Sequence, residues 1–262
     1  MTADHLYLYG IVGTAPADLG TGIDALPLHA VPGPPGVAAV VHGHEGEPYQ
    51  GADADVERWV VEHSTAVERV WRLTGTILPA TFNVIVAPEG AMTAHHRLQD
   101  WLAAHADSLR DRLDALSGRV ELRVEIGLDH HLTAGRHPDV VAARTELDGR
   151  PPGVQRLLRK RLDHLERDVT EAVARERIDG YHQILKGVSD ELDENRRARP
   201  GPDTALVLSA SLLVRADAVQ DVGAALTSIQ EAEPGARIRY LGPWPPYSFA
   251  DILRTAPPDE PG

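Results

Sequence analysis

Residue types suited to metal-assisted chemistry gather in one short stretch of the 262-residue chain. In HGHEGEP, His42, His44, Glu45 and Glu47 bring two imidazoles and two carboxylates together. His44-Glu45 opens the H-E-x-x-H zinc pattern, in which two histidines one helical turn apart hold the ion and the glutamate acts as base. Pro48 stands where the second histidine belongs, and proline breaks the helix that the pattern requires. The stretch therefore reads as a polar turn after a strand. A zinc site needs three or four ligands fixed by further partners, and these are missing from the pattern.

A second candidate is Asp129-His130-His131, with His137 close behind. A D-H-H triplet occurs in some metal-dependent phosphoesterases, but the companion carboxylate motifs are absent upstream, so this reads as a solvated strand end. His63 and His105 lie on apolar helical stripes and are expected to be half-buried core residues, each satisfied by one hydrogen bond. The patterns G-x-S-x-G, G-x-x-x-x-G-K-[ST] and G-x-G-x-x-G do not occur, which removes the anchors of serine hydrolase, P-loop and dinucleotide readings. Arg156, Arg159, Lys160 and Arg161 form a basic run, followed at once by Asp163, Glu166, Asp168 and Glu171. This alternation reads as a charged, solvated helix face. The expectation is a protein without catalytic residues, metal or cofactor, and not an enzyme.

The bulk properties agree. A formal net charge of −13 disfavours nucleic acid and anionic membranes as partners. The absence of cysteine excludes disulfides and thiolate chemistry and fits a reducing cytoplasm. The N-terminus lacks the basic and long apolar regions of a secretory signal, and the chain has no apolar run long enough to span a membrane.

The elements that would carry these residues alternate between strands and helices at short connections. Leu6–Val12 and Val37–Val41 read as strands around a Gly/Pro-rich loop. A helix from about Asp53 carries Val56, Trp59, Val60, His63, Val67, Val70 and Trp71 at helical spacing and stops at Gly75. Ile77–Val86 returns to a strand interrupted by Pro79, and one further helix spans Leu98 to Leu116. RVELRVEI, Arg119–Ile126, alternates charged and apolar residues strictly, so one face is buried. Leu158, Leu162, Leu165 and Val169 then step by four and three, the repeat of a helix packing along another helix. A break is expected at Asp179-Gly180 and a turn at Arg197–Asp203, before a final strand–helix–strand unit over Ala205–Leu241. The fold class implied is α+β, with mixed sheets covered by helices on one face. Two domains are expected, 1–117 and 118–252, with a disordered tail at 253–262.

The last strand runs into GPWPPYSFADI, Gly242–Ile252. Three prolines and three large aromatics there exclude a helix interior or a central strand. Trp244, Pro245, Pro246, Tyr247 and Phe249 are the candidate site residues, either as a plug of the C-terminal sheet or as a partner surface. Burial is the expectation for Trp244 and Phe249, because large aromatics stabilise most when buried.

With LVLSASLLV some thirty residues upstream, RIRYLGPWPPYSFADI closely resembles the C-terminal signature of the gas vesicle protein F/L family (GvpF/GvpL). LYLYGIV resembles the family's opening strand, EHSTAVERVWRLTGTILPATFNVIV its helix and Leu-Pro-x-x-Phe strand, and GRVELRVEI its alternating strand. Thr81 and Asn83 stand where family members usually carry Arg and Gly, and Gly153-Val154-Gln155 replaces a glycine–aromatic–leucine step. The resemblance implies a C-terminal domain that is a modified ferredoxin-like unit with added helices. It also implies a cytoplasmic, gas vesicle-associated accessory or minor structural protein. Such a protein would bind the small hydrophobic shell protein, and other accessory proteins, and help nucleate or assemble the vesicle. A small-molecule-binding regulatory module on ferredoxin-like units, and a histidine-dependent metal hydrolase, are the alternatives.

Overall fold

The computed structural model describes residues 4–147, 150–195, 198–199, 201 and 203–250. The expected tail at 253–262, and Asp251 and Ile252 of the signature, lie outside them, as does part of the expected turn at Arg197–Asp203. The described residues fall into two compact units, one from 4 to 120 with 244–250, the other Glu121–Pro243.

The first unit opens with β1 (His5–Val12), β2 (His29–Pro32) and β3 (Ala38–His44). Helix α1 (Asp53–Thr74) follows, then β4 (Leu78–Pro79) and β5 (Ile85–Val86), and helices α2 (Ala94–Ala104) and α3 (Ala106–Leu116). The strands form a sheet in the order β2-β3-β1-β4, with β5 also on β1; β1 pairs antiparallel with β3, β4 and β5, and β2 with β3. Tyr7 and Tyr9 on one face of β1 join Ala66, Val67 and Val70 of α1 in the core. Leu6 and Leu8, on the other face by strand alternation, are buried as well, so this sheet is covered on both faces rather than one.

Two glycines make this arrangement possible. At Gly10 the register of β1 on β3 shifts, and a Cβ there would lie 2.6 Å from the Leu78 carbonyl, so only glycine admits β4 at this distance. Gly75 adopts the left-handed conformation (φ 76°) that closes α1, as its sequence position predicts.

Several elements differ from the sequence reading. β2 lies in the expected Gly/Pro loop; it is an edge strand, where Pro32 is tolerated. The expected strand Ile77–Val86 is two short strands, separated by a turn in which Asn83 takes φ 69°. The single helix expected over Leu98–Leu116 is broken at His105 into α2 and α3.

The second unit contains most of β6 (Arg119–Asp129), then α4 (His130–Ala134), α5 (Pro138–Leu147) and the 36-residue α6 (Pro152–Gly187). β7 (Glu191–Glu194), β8 (Thr204–Arg215), α7 (Val219–Ala232) and β9 (Ala236–Trp244) complete it. The sheet order is β7-β8-β6-β9. The break expected at Asp179-Gly180 does not occur: α6 runs straight through. Thr170, Ala174, Tyr181 and Leu185 bury one stripe of α6 on both sides of that point. Such packing outweighs the roughly 1 kcal/mol that glycine costs inside a helix.

The sequence reading also grouped the signature with the second domain. β9 instead extends to Trp244, and the residues from Trp244 onward belong to the first unit. The reason is burial. Phe249 and Ala250 are buried there, and Arg112 of α3 donates from Nε to the Phe249 carbonyl at 2.7 Å.

The second unit has its own polar clamp. Arg144 of α5 donates to Glu166 of α6 at 2.6 Å and to His131 Nδ1 of α4 at 2.9 Å, tying three helices at one point. Glu166→Ala is expected to destabilise this unit by about 2 kcal/mol, read by chemical denaturation. That is less than for a fully buried pair, because Arg144 is a third exposed. Wild-type stability in this variant would mean that the clamp contributes nothing.

Candidate functional site

Helix α1 presents an unusual outer face. Val60 and Val61 project to solvent, with Val61 58% exposed. Ser64 and Thr65 follow one turn later, and each turns its hydroxyl back to a carbonyl four residues earlier: Ser64 to Val60 at 2.9 Å, Thr65 to Val61 at 2.8 Å. With the hydroxyls satisfied by the helix, the carbon atoms of these side chains face outward. The signature lies alongside. Trp244, Pro245 and Tyr247 form the opposite wall of a groove of about 310 Å³, whose α1 wall is Val60, Val61, Ser64, Thr65 and Glu68.

The five signature residues divide by burial. Pro245, Pro246 and Phe249 are buried, Tyr247 is half-buried against the core of the first unit, and Trp244 is 37% exposed. The expectation of burial therefore holds for Phe249 and fails for Trp244, whose ring lines the groove. The stiff Pro245-Pro246 step, with φ fixed, separates the exposed tryptophan from the buried phenylalanine.

Beneath the groove lies a layer of tyrosines and histidines that sequence reasoning missed. Tyr7 and His42 are directly opposite in the β1–β3 register and stack at 5.0 Å between centroids, tilted by only 10°. His63 of α1 stacks on Tyr9 at 5.2 Å. Tyr49 and Phe82 close the layer edgewise. All ring nitrogens of His42 and His63 are engaged. His63 Nε2 donates to the Ala80 carbonyl at 3.1 Å, which leaves Nδ1 to accept from the Tyr7 hydroxyl at 2.9 Å. The Tyr7 oxygen in turn accepts from the Asn83 N–H at 3.1 Å. Tyr9 accepts from the Ile23 N–H at 2.8 Å and donates to His42 Nδ1 at 3.0 Å; His42 Nε2 then donates to Tyr49 at 3.3 Å.

Both imidazoles are thus neutral by hydrogen-bond geometry, and the surroundings favour that form. Burial lowers the His42 and His63 pKa values to about 4, with neighbouring His44 adding to the effect on His42. Burial also pushes the Tyr49 hydroxyl up to about 12, and those of Tyr7 and Tyr9 further. The layer acts as a structural adhesive. It holds the Ala80–Asn83 turn through Tyr7 and His63, and Asn83 exchanges two hydrogen bonds of 3.0 Å with the Tyr49 backbone. Asn83 has a positive φ of 69°, and asparagine is among the few residues that tolerate it.

The metal candidates are placed differently. His42 is buried in the layer and His44 ends β3; Glu45–Pro48 follow as the expected polar turn, with the Glu47 carbonyl 2.5 Å from His44 Nε2. Asp129 caps α4 by accepting from the Leu132 N–H at 2.9 Å and receives Arg237 at 2.9 Å. His131 belongs to the Arg144–Glu166 clamp. Among the described residues, no three His, Asp or Glu side chains are grouped to hold a metal ion. His63 is fully buried with two partners rather than one. His105 is half-buried, donating Nδ1 to the Trp101 carbonyl at 2.8 Å and stacking on Trp101. Among the described residues no helix is long and apolar enough to cross a membrane.

Comparison with known proteins gives a consistent result. Residues 5–251 match the family model described as gas vesicle synthesis protein GvpL/GvpF. The chain is 30% identical to gas vesicle protein L1 of Halobacterium salinarum, across 93% of this chain and 89% of that protein. It is 32% identical to gas vesicle protein L2 of the same organism, across 98% and 95%. The crystal structure of GvpF from Anabaena sp. PCC7120 superposes with a TM-score of 0.68 at 20% identity, covering 94% of this chain and 98% of that one.

Proposed function

Because the chain belongs to the GvpL/GvpF family of gas vesicle proteins, we propose that it is a non-enzymatic accessory or minor structural component that binds the small hydrophobic shell protein. In this role it supports nucleation or assembly of the vesicle, together with other accessory proteins, in the cytoplasm and at the vesicle. The observation that carries this reading is the apolar groove between α1 and Trp244–Tyr247. A subunit destined for a gas-facing wall exposes apolar surface before it assembles, and that surface must be covered to prevent aggregation. Stiff aromatic and proline walls bind such a surface with little loss of conformational freedom. The second unit is read as a modified ferredoxin-like module. Its β-α-β-β-α-β order and strand order β7-β8-β6-β9 support this, with α4 and α5 as the added helices.

Capture of purified shell protein tests the proposal. Val61→Asp and Trp244→Ala are expected to weaken binding roughly tenfold or more each, with Val61→Asp close to wild type in unfolding midpoint because Val61 is 58% exposed, and Trp244→Ala still folded. Undiminished capture by both folded variants would sink the groove as the docking site.

A further inference from the structure

The projecting half of α6 carries a second seam besides the one that packs inward. Val154, Leu158, Arg161, Leu165, Asp168 and Ala172 are spaced by four and three residues, and so share one face. α5 covers part of this face but leaves a groove of about 500 Å³ between the two helices. Leu158 and Leu165 of α6 line it with Ala142 and Ala143 of α5, and the charged Asp139, Glu146, Arg161 and Asp168 also reach it. Beside it Leu157 is 70% exposed, and Val154 and Val141 are exposed as well. Exposed apolar residues scattered singly need no explanation; here they adjoin a helical seam with an open groove.

The charges say what fits there. On the seam itself the basic Arg161 precedes the acidic Asp168 by two helical turns. A second α6 laid alongside in the same direction sets basic against basic and acidic against acidic. Laid antiparallel, with a two-fold axis between His164 and Leu165, it sets the basic end of each seam against the acidic end of the other. Arg161 of each copy then lies within a turn of Asp168 of the other, with the leucines between them. A two-fold contact of this kind uses the same patch on both copies and closes after two.

We propose that two copies of this chain associate through an antiparallel contact of their α6 helices at the α5–α6 groove.

Sedimentation equilibrium of the full chain, from 1 to 100 µM at low and high salt, tests the association. A concentration-dependent dimer that weakens with salt is expected; a monomer throughout overturns the proposal. Arg161→Asp and Asp168→Arg are each expected to weaken self-association at least tenfold, and an equimolar mixture of the two variants to restore it. Failure of the mixture to restore association, with both variants folded, rejects the antiparallel register. Leu157→Asp is expected to give a folded monomer, and a dimer that survives it also overturns the contact. Because the chain has no cysteine, His164→Cys introduces a single thiol, which is expected to cross-link two copies under mild oxidation. Arg175→Cys, far from the axis, is not, and equal cross-linking by both would show a non-specific encounter.

Discussion

Phe249→Ala is expected to destabilise the first unit by about 3–4 kcal/mol, the largest single-residue effect in the signature. The phenylalanine is 3% exposed, so its removal leaves a cavity as well as losing apolar burial. The loss extends beyond the ring. Arg112 holds the carbonyl of the same residue, and a signature loosened at Phe249 no longer presents Pro245 and Tyr247 along α1. Binding of the shell protein should therefore fall together with stability. Trp244→Ala separates the two effects, since its ring lines the groove and, at 37% exposure, gives up less burial than Phe249. Phe249→Leu, which keeps most of the volume, should cost less than about 1.5 kcal/mol. Equilibrium denaturation in urea measures all three. Equal destabilisation by Phe249→Ala and Trp244→Ala would contradict the division of labour between them.

Much of this fold follows from local pattern. The alternation in RVELRVEI and the helical spacing from Val56 to Trp71, closed by Gly75, report burial directly, because a buried face imposes its period on the residues that line it. The misses have a common physical origin. β2 and β7 are edge strands, short and polar or proline-bearing, so that hydrogen bonding to a neighbour rather than their own side chains defines them. Gly180 looked like a helix stop because a local signal outranked the burial of Tyr181 and Leu185 on either turn of α6. The site was only half legible. GPWPPYSF stood out by composition, and the family resemblance by its order. Which aromatic faces outward depends on α1, almost two hundred residues earlier in the chain. The tyrosine–histidine layer left a trace in the alternation of Tyr7 with Tyr9 and His42 with His44. Only the β1–β3 register, which sets Tyr7 opposite His42, gives that trace a meaning.

That layer makes the second large effect one of pH. His42 and His63 are neutral in the folded protein, with pKa values near 4 against about 6.5 for a free imidazole. Both groups have folded-state values depressed below the unfolded ones. The unfolded chain therefore binds more protons between about pH 6.5 and pH 4, and stability must fall as the pH is lowered through that window. Above pH 7 the contribution is fully present and flat. A protonated His63 has no acceptor left for the Tyr7 hydroxyl, and a protonated His42 has none for Tyr9, so the hydrogen bonds that fix Asn83 and Ile23 are compromised together. At about 1.4 kcal/mol per pKa unit, the two histidines account for a loss on the order of 5 kcal/mol across the window. Urea midpoints measured at half-unit steps from pH 7.5 to 4 should trace this slope. His63→Gln keeps a donor and an acceptor but does not titrate; it should lower stability at pH 7 while making the decline between pH 6.5 and 4 shallower. An unaltered decline in the His63 variant would show that acid acts on the first unit through other groups, and that the layer is not what titrates.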